Sequence, residues 1–512
     1  MNESRRGGRS GRAGREQRTF PIDQKPFRQP RRRFPATDIV SADALEAIHA
    51  ASLTVLEEIG LDVLDAEARD ILGMAGAQVD GMRVRLDRGL VLQAIAMCPA
   101  EFTLHARNPA HHVRLGGDHV AFPLMASAPN CSDLDAGRRP GSQQDFRNLV
   151  KLGQSFTILH LTGGYPVEPV DLHASTRHLD CLADFVTLTD KPFHAYSLGR
   201  GRILDGIEIA RIGRGISAAR LEAEPSLFTV INSSSPLRLD APMCNGIIEM
   251  ARRNQCVVMT PFTLAGAMAP VTIAGALAQQ NAEALAGIAL AQLVRPGAPV
   301  MYGGFTSNVD MKSCAPAFGT PEYMQAAMVG GQLARRYGIP YRSSNVCAAN
   351  TIDAQAAYES VFSLWGAIMG GGHLVKHAAG WLEGGLACSF EKLVLDIELL
   401  QMVAAFLDPL VVDDDTLALE AMREVGPGGH FFGTAHTQSR YRDAFHAPIL
   451  SDWRNFESWR EAGSPTAMAK ANRIWKECLA AYEAPALDPA VAEELAAYVA
   501  RRKAEGGFRT DF

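Results

Sequence analysis

The sequence predicts an α/β protein built on a (β/α)8 TIM barrel, with an N-terminal α+β subdomain and a C-terminal helical extension. Three observations carry that expectation. Short apolar runs ending in small or polar residues recur eight times after residue 118. Segments with helical apolar spacing separate them. No GxGxxG opens the first unit, so the usual nucleotide fingerprint of an open doubly wound sheet is missing.

In chain order the runs are VAFPL (120–124), FTILHL (156–161), FHAYSL (193–198), LFTVINSS (227–234), CVVMTPF (256–262), PVMYGGF (299–305), IPYRSS (339–344) and HLVKHAA (373–379). Helical patterns cover 174–187, 240–253, 280–293, 320–337, 353–369 and 390–407. Strands alternating with helices call for parallel pairing through crossovers, and eight such units favour a closed barrel over a Rossmann-like sheet.

Ahead of the barrel, Ser41 offers an N-cap to a helix over 45–59, followed by helix, hairpin-like strands and helix. This defines an N-terminal subdomain over 39–118 and a barrel over 119–409. The remainder, 410–512, opens with VVDDDT (411–416) and GPGGHFFGTAHT (426–437) and continues in helices that cap the barrel. VVDDDT lacks the spacing of a calcium loop and reads as helix capping and solvated charge.

Residues 1–38 read as a disordered basic tail. Residues 1–33 hold eleven Arg and Lys against three Asp and Glu, a local charge of +8. The net charge is −6, so the rest of the chain carries −14, which argues against nucleic acid as the main partner. The composition, 47% hydrophobic and 21% charged, is that of a soluble globular protein. Nine cysteines, an odd number without a CxxC pair or a preceding secretory signal, indicate reduced thiols and a cytoplasmic setting. No apolar run reaches the roughly 18–20 residues of a membrane span.

In a barrel the active site collects just past the strand C-termini. Those positions are Met125 to Asn130, Gly163 to Tyr165, His194 to Ser197, Asn232 to Ser234 and Pro261 to Thr263. The later units add Phe305 to Asn308 with Asp310, Arg342 to Asn345, and His377 with Trp381 and Glu383. Hydroxyls, amides and aromatics dominate, and no acid/base pair or Ser-His-Asp order emerges. Little proton chemistry is required of such a mouth.

His373 and His377, four apart in HLVKH, invite a zinc reading, but Leu374 stands where HExxH places its Glu, and on a strand the two are too far apart for one ion. No metal site is expected; His377 is read as either orienting a ligand or filling the core. Arg342 is suited to clamping a carboxylate or phosphate, or to a structural ion pair with Glu359 or Glu383. Tyr165, Tyr196, Phe262, Phe305, Tyr341 and Trp381 are candidates for a quaternary-ammonium cage, or for ordinary packing. Gly303 and Gly304, with Gly163-Gly164 and Gly370 to Gly372, suggest either backbone lying close to a flat cofactor or tight turns. Cys314 and Cys347 lie near the mouth without an adjacent base.

The segments GGFTSNVDMKS (303–313), FGTPEY (318–323), YRSSN (341–345), DAQAAYES (353–360), HAAGWLEGGL (377–386), FEKLVLD (390–396), LVVDDDT (410–416) and GPGGHFFGTAHT (426–437) resemble the trimethylamine methyltransferase family. The resemblance runs from about residue 40 to the C-terminus. It implies a (β/α)8 barrel that moves a methyl group from an amine nitrogen to the cobalt of a corrinoid (cobalamin) carried by a separate protein, with no tightly bound cofactor of its own. Such an enzyme mainly orients and desolvates the methyl donor, which suits a mouth poor in acids and bases.

Archaeal members of that family that demethylate trimethylamine carry pyrrolysine at the mouth, whereas this chain has standard residues throughout, including the 344–353 loop. A neutral tertiary amine is a poor methyl donor, while a quaternary ammonium leaves as a neutral amine. The resemblance therefore implies a quaternary donor such as glycine betaine. Arg342, Tyr341, Phe305, Trp381, Tyr165 and Glu383 are the expected donor-binding residues, with His377 and Asn345 catalytic. Gly303, Gly304, Ser307 and Asn308 are expected to face the corrinoid, and the chain is expected to be a homo-oligomer. A methylamine donor, a zinc-dependent methyltransferase and a non-catalytic betaine-binding barrel stay open as alternatives.

Overall fold

The computed structural model describes residues 20–508. Its centre is a curled sheet of six parallel strands in the order Phe193–His194, Leu227–Ile231, Cys256–Met259, Val300–Gly303, Tyr341–Ser344 and Leu374–Lys376. Helices return the chain between successive strands, as parallel pairing demands. The expected helices are present as Arg177–Leu188, Ala241–Arg252, Ile273–Val294, Pro321–Tyr337, Ala354–Met369 and Phe390–Leu407. Asp240, Thr272, Thr320, Asp353 and Ser389 accept a backbone N–H at the start of the last five, the role Ser, Thr and Asp play at helix N-termini.

The regular sheet is thus a half-barrel of six strands where eight were expected. The first two runs join it through bridges: Ala121 to Leu374, Leu124 to Ala379 and Pro123 to Leu161. Thr162 also donates its N–H to Pro192 O at 3.0 Å. Pro123 has no N–H to give a ladder, and Gly163-Gly164 follow Leu161, so long pairing is blocked on both segments.

Register decides what faces inward. Val230, Val258, Met301 and Leu374 share an inner face with Phe228 and Cys256, and they cluster with Leu104, Val113 and Leu115. Those last three come from the Glu101–Leu104 and Val113–Gly116 hairpin, which plugs the N-terminal end of the sheet. The Arg238–Leu239 strand pairs with Leu61–Val63 and so ties the N-terminal segment to the chain that follows the second strand of the curled sheet.

Residues 20–38 correct the expectation of a disordered tail, whose remaining part, 1–19, lies outside the described residues. Phe20 packs edge-on against Phe156, Gln24 bonds Ser155 and Thr157, and Arg31 pairs with Asp118. Phe34 meets Phe406 edge-on. The few aromatics among the basic residues find apolar clefts, and the charges find acids, so this stretch straps the outside of the fold.

The later helices of the C-terminal extension lie on the outer helix layer rather than over the strand ends. Ala467–Ala480 packs on Phe390–Leu407, and Pro489–Ala504 packs on Arg177–Leu188 and Arg200–Arg214. Trp475 stacks on Phe390 with centroids 4.8 Å apart and donates to Glu391. Among the described residues no helix is long and apolar enough to cross a membrane.

Candidate active site at the strand C-termini

Arg342 pairs in register with Gly303 and Leu374, and Ser344 with Lys376, so Arg342, Ser344 and Lys376 share the inner face with Leu374. Arg342 is buried, 2% exposed. Its Nη1 donates to Gly304 O at 3.1 Å, its Cζ lies 5.2 Å from the Phe305 centroid, and its Nε has no partner. No carboxylate among the described residues pairs with it. Glu359 instead accepts from Ala348 N, Ala349 N and Gln355, while Glu383 pairs with Arg138 at 2.9 Å. Burial pushes the guanidinium down to about 10, which leaves it charged at neutral pH. A desolvated cation without a counter-ion costs several kcal/mol, and a bound anion offsets that cost.

Lys376 is buried beside it, and burial together with Arg342 holds its amine well below the usual lysine range. His377 follows with a positive φ of 54°, where the strand ends and the chain turns. Its ring lies 4.1 Å from Trp381, and its Nδ1 has no partner. Burial, Lys376, Arg342 and His194 together keep it well below the usual histidine range. His194 Nε2 accepts the Val230 N–H at 2.9 Å, which puts the ring proton on an unpartnered Nδ1.

Phe305 is the hub of an aromatic cluster. Its centroid lies 5.2 Å from Phe262, 5.4 Å from Phe318 and 6.2 Å from both Trp381 and His377. Buried polar atoms without partners are rare in folded proteins. Here Arg342 Nε, His377 Nδ1, His194 Nδ1, Trp381 Nε1 and Thr162 Oγ1 all occur near the ends of the strands.

Of the expected site residues, the structure therefore brings together Arg342, Phe305, Trp381 and His377. Others are placed elsewhere. Tyr341 faces the helix layer, where its hydroxyl donates to Ala327 O at 2.7 Å. Asn345, one residue past Ser344, also faces outward and donates to Ala378 O at 3.0 Å and Asp396 Oδ1 at 3.3 Å. Tyr165 packs on Phe146, Phe185 and Tyr196, and Glu383 is held by Arg138.

The four expected corrinoid-facing residues are engaged with protein. A side chain on Gly303 would strike Thr260 and the Met259 carbonyl, so close packing demands glycine there, while one on Gly304 would meet the Gln280 amide at 2.8 Å. Ser307 donates to Ala317 O, and Asn308 accepts from Thr320 at 2.9 Å, on a small sheet of Leu264–Ala265, Ser307–Val309 and Pro316–Ala317. His373 Nδ1 accepts the Tyr341 N–H at 2.9 Å and its Nε2 lies 3.0 Å from Gly117 O, at the opposite end of its strand from His377. The two histidines share no site. Lys376 was missed in sequence, although strand parity counted from Arg342 and Leu374 identifies it.

Residues 5–507 match the trimethylamine methyltransferase (MTTB) family. The chain belongs to the trimethylamine methyltransferase family. It is 37% identical over 475 residues to a glycine betaine methyltransferase of Desulfitobacterium hafniense, covering 93% of this chain and 99% of the relative. It is 29% identical to a trimethylamine methyltransferase of Methanosarcina mazei and 28% identical to one of Desulfitobacterium hafniense. Those matches cover 92% and 91% of this chain and 96% and 94% of the relatives. This trimethylamine methyltransferase family member is a methyl-transferring enzyme.

Proposed function

We propose that this enzyme takes a methyl group from a carboxylate-bearing quaternary amine, glycine betaine or a close analogue, and passes it to the cobalt(I) corrinoid of a separate protein. The observation that carries this reading is the buried Arg342, without an acid partner, beside the Phe305 aromatic cluster. The carboxylate pairs with Arg342, beside the buried amine of Lys376. The trimethylammonium group rests against Phe305, Trp381 and Phe262, whose ring faces attract a cation. Dry walls favour this diffuse cation over a strongly hydrated one.

The methyl–nitrogen bond breaks with its electron pair staying on nitrogen, so the product is a neutral tertiary amine that needs no general acid. The corrinoid, as methyl acceptor, supplies the nucleophilic electron pair that forms the new cobalt–carbon bond. His377, packed against Trp381, holds the rim of the site and excludes water from the donor. The bridges at Ala121, Leu124 and Pro123 support reading the curled sheet as a closed eight-stranded barrel whose C-terminal mouth receives the corrinoid protein. The similarity to the glycine betaine methyltransferase, together with nine free cysteines, supports the donor class and a reducing, cytoplasmic setting.

The test is to mix the purified protein with cob(I)alamin and candidate amines and follow the visible spectrum of the methylated product. Methylation from glycine betaine is expected. Methylation from trimethylamine alone, or from no amine, refutes the donor assignment.

A further inference from the structure

After Leu407 the chain leaves the helix layer and returns at Ile449, whose N–H, with that of Leu450, is accepted by Glu398. Between these anchors, residues 409–448 form three helices of four, seven and six residues. Among the described residues, the hydrogen bonds and ion pairs of this segment stay inside it, as with Arg440 to Asp415 and Arg423 to Glu420. None of its residues joins a core cluster. Helices this short do not persist in water on their own.

The segment is nonetheless rich in apolar side chains that face solvent. Leu410 is 89% exposed, Phe432 79% and Val412 69%, and Tyr441, Leu419 and Met422 are more than half exposed. A second apolar surface lies on the outer helix layer. Tyr358 and Phe362 are four apart on Ala354–Met369, and Met402 and Phe406 are four apart on Phe390–Leu407. All four are exposed, and Trp365 meets Phe406 edge-on at 4.9 Å, so the two helices present one continuous stripe. The chain's own arm leaves this stripe uncovered, and only Phe34 of the 20–38 strap meets it, at Phe406, which stays 56% exposed.

We infer that residues 409–448 are an arm that docks on the Ala354–Met369 and Phe390–Leu407 face of a second copy of this chain. Each copy carries both the donor arm and the receiving stripe, which is the self-complementarity a two-fold dimer requires. The apolar side chains of one arm expose roughly 1,000 Å², taking 150–250 Å² for each fully exposed aromatic. Two arms on two stripes reach the size of obligate homodimer interfaces, about 2,000 Å² and above. A carrier that must dock and leave at each turnover calls for a smaller, more polar contact.

Light scattering of the full chain at micromolar concentration is expected to give twice its 55.2 kDa mass. A photo-crosslinking residue at Phe432, in a mixture of isotope-labelled and unlabelled chains, is expected to join the two kinds of chain within peptides from 354–369 or 390–407. The double variant Tyr358→Asp, Phe406→Asp is expected to run as a monomer with unchanged far-ultraviolet circular dichroism. A monomeric wild type overturns the proposal, as do crosslinks confined to one chain, to vesicles or to an added corrinoid carrier. A folded double variant that stays dimeric also overturns it. If that variant does not fold, the wild-type crosslinks decide. None of these readouts depends on which amine donates the methyl group.

Discussion

The Arg342 guanidinium lies over the Phe305 ring, 5.2 Å from its centroid, and donates to the carbonyl of Gly304, the residue before Phe305. One contact orients the cation and the other aligns it with the aromatic cluster. Together they hold a positive charge and an aromatic surface side by side, and a zwitterion with one carboxylate and one trimethylammonium group complements both.

Replacing Arg342 separates the two halves of that match. Arg342→Gln is expected to lower kcat/KM for glycine betaine about 10- to 100-fold, since a charged hydrogen bond contributes roughly 1.5–3 kcal/mol. Choline lacks the carboxylate, and its binding, measured by calorimetry, is expected to change less than threefold. Equal losses for both ligands would remove Arg342 from the donor site.

Phe305→Leu keeps an apolar side chain but removes the ring face. Cation–π attraction at desolvated sites is worth about 0.5–2 kcal/mol, so KM for the quaternary donor is expected to rise roughly 2- to 30-fold. A carbon isostere, in which an uncharged tert-butyl group replaces the trimethylammonium and the carboxylate is kept, is expected to bind both proteins alike when tested as an inhibitor. Weakening of that isostere as large as that of the donor would show that packing, not charge, governs the position.

Asn345 tests the outward placement of a residue expected to be catalytic. Asn345→Ala strips a donor from Ala378 O and from the Asp396 carboxylate, which also binds Lys392 at 2.5 Å with both side chains fully buried. Stability by urea unfolding is expected to fall by about 1–3 kcal/mol, while kcat/KM of the folded variant stays within threefold. A large loss of kcat at unchanged stability would return Asn345 to the chemistry.

His160 and His373 predict an acid limit to stability. Each is buried and neutral, fixed by backbone bonds to Phe122 and Arg28 and to Tyr341 and Gly117. Burial pushes both down to about 4, below the unfolded value of 6.5. As pH falls through 6.5 the unfolded chain takes up these protons first. Stability is therefore full above 6.5 and is lost as pH falls toward 4, by roughly 2 kcal/mol per ring at pH 5. His373→Gln is expected to flatten the fall of the urea midpoint between pH 7 and pH 5, and an unchanged slope would place the acid sensitivity elsewhere.

The alternating pattern of apolar runs and helical segments was legible because it is local: period and spacing report which stretches pair in parallel and which cross over. The lack of acids at the strand ends was legible for the same reason, since the rule linking strand ends to function needs only approximate boundaries. Parity was not. Tyr341, Arg342 and Asn345 are near neighbours in sequence, yet a single residue step turns a strand side chain from the mouth to the helix layer. The same step hid Lys376, which lies on the strand between His373 and His377.

By itself the sequence determined the α/β class, the succession of strands and helices, the family and an aromatic mouth poor in carboxylates. These follow from residue type and spacing. Only the tertiary structure decided that Arg342 lacks an acid, because its two candidate partners, Glu359 and Glu383, are claimed by Gln355 with the Ala348 and Ala349 amides and by Arg138. It also decided that Gly303 serves close packing, and that residues 20–38 are ordered by clefts formed from distant segments. Ion pairs and packing voids depend on what folding brings together from far along the chain, and no local pattern encodes them.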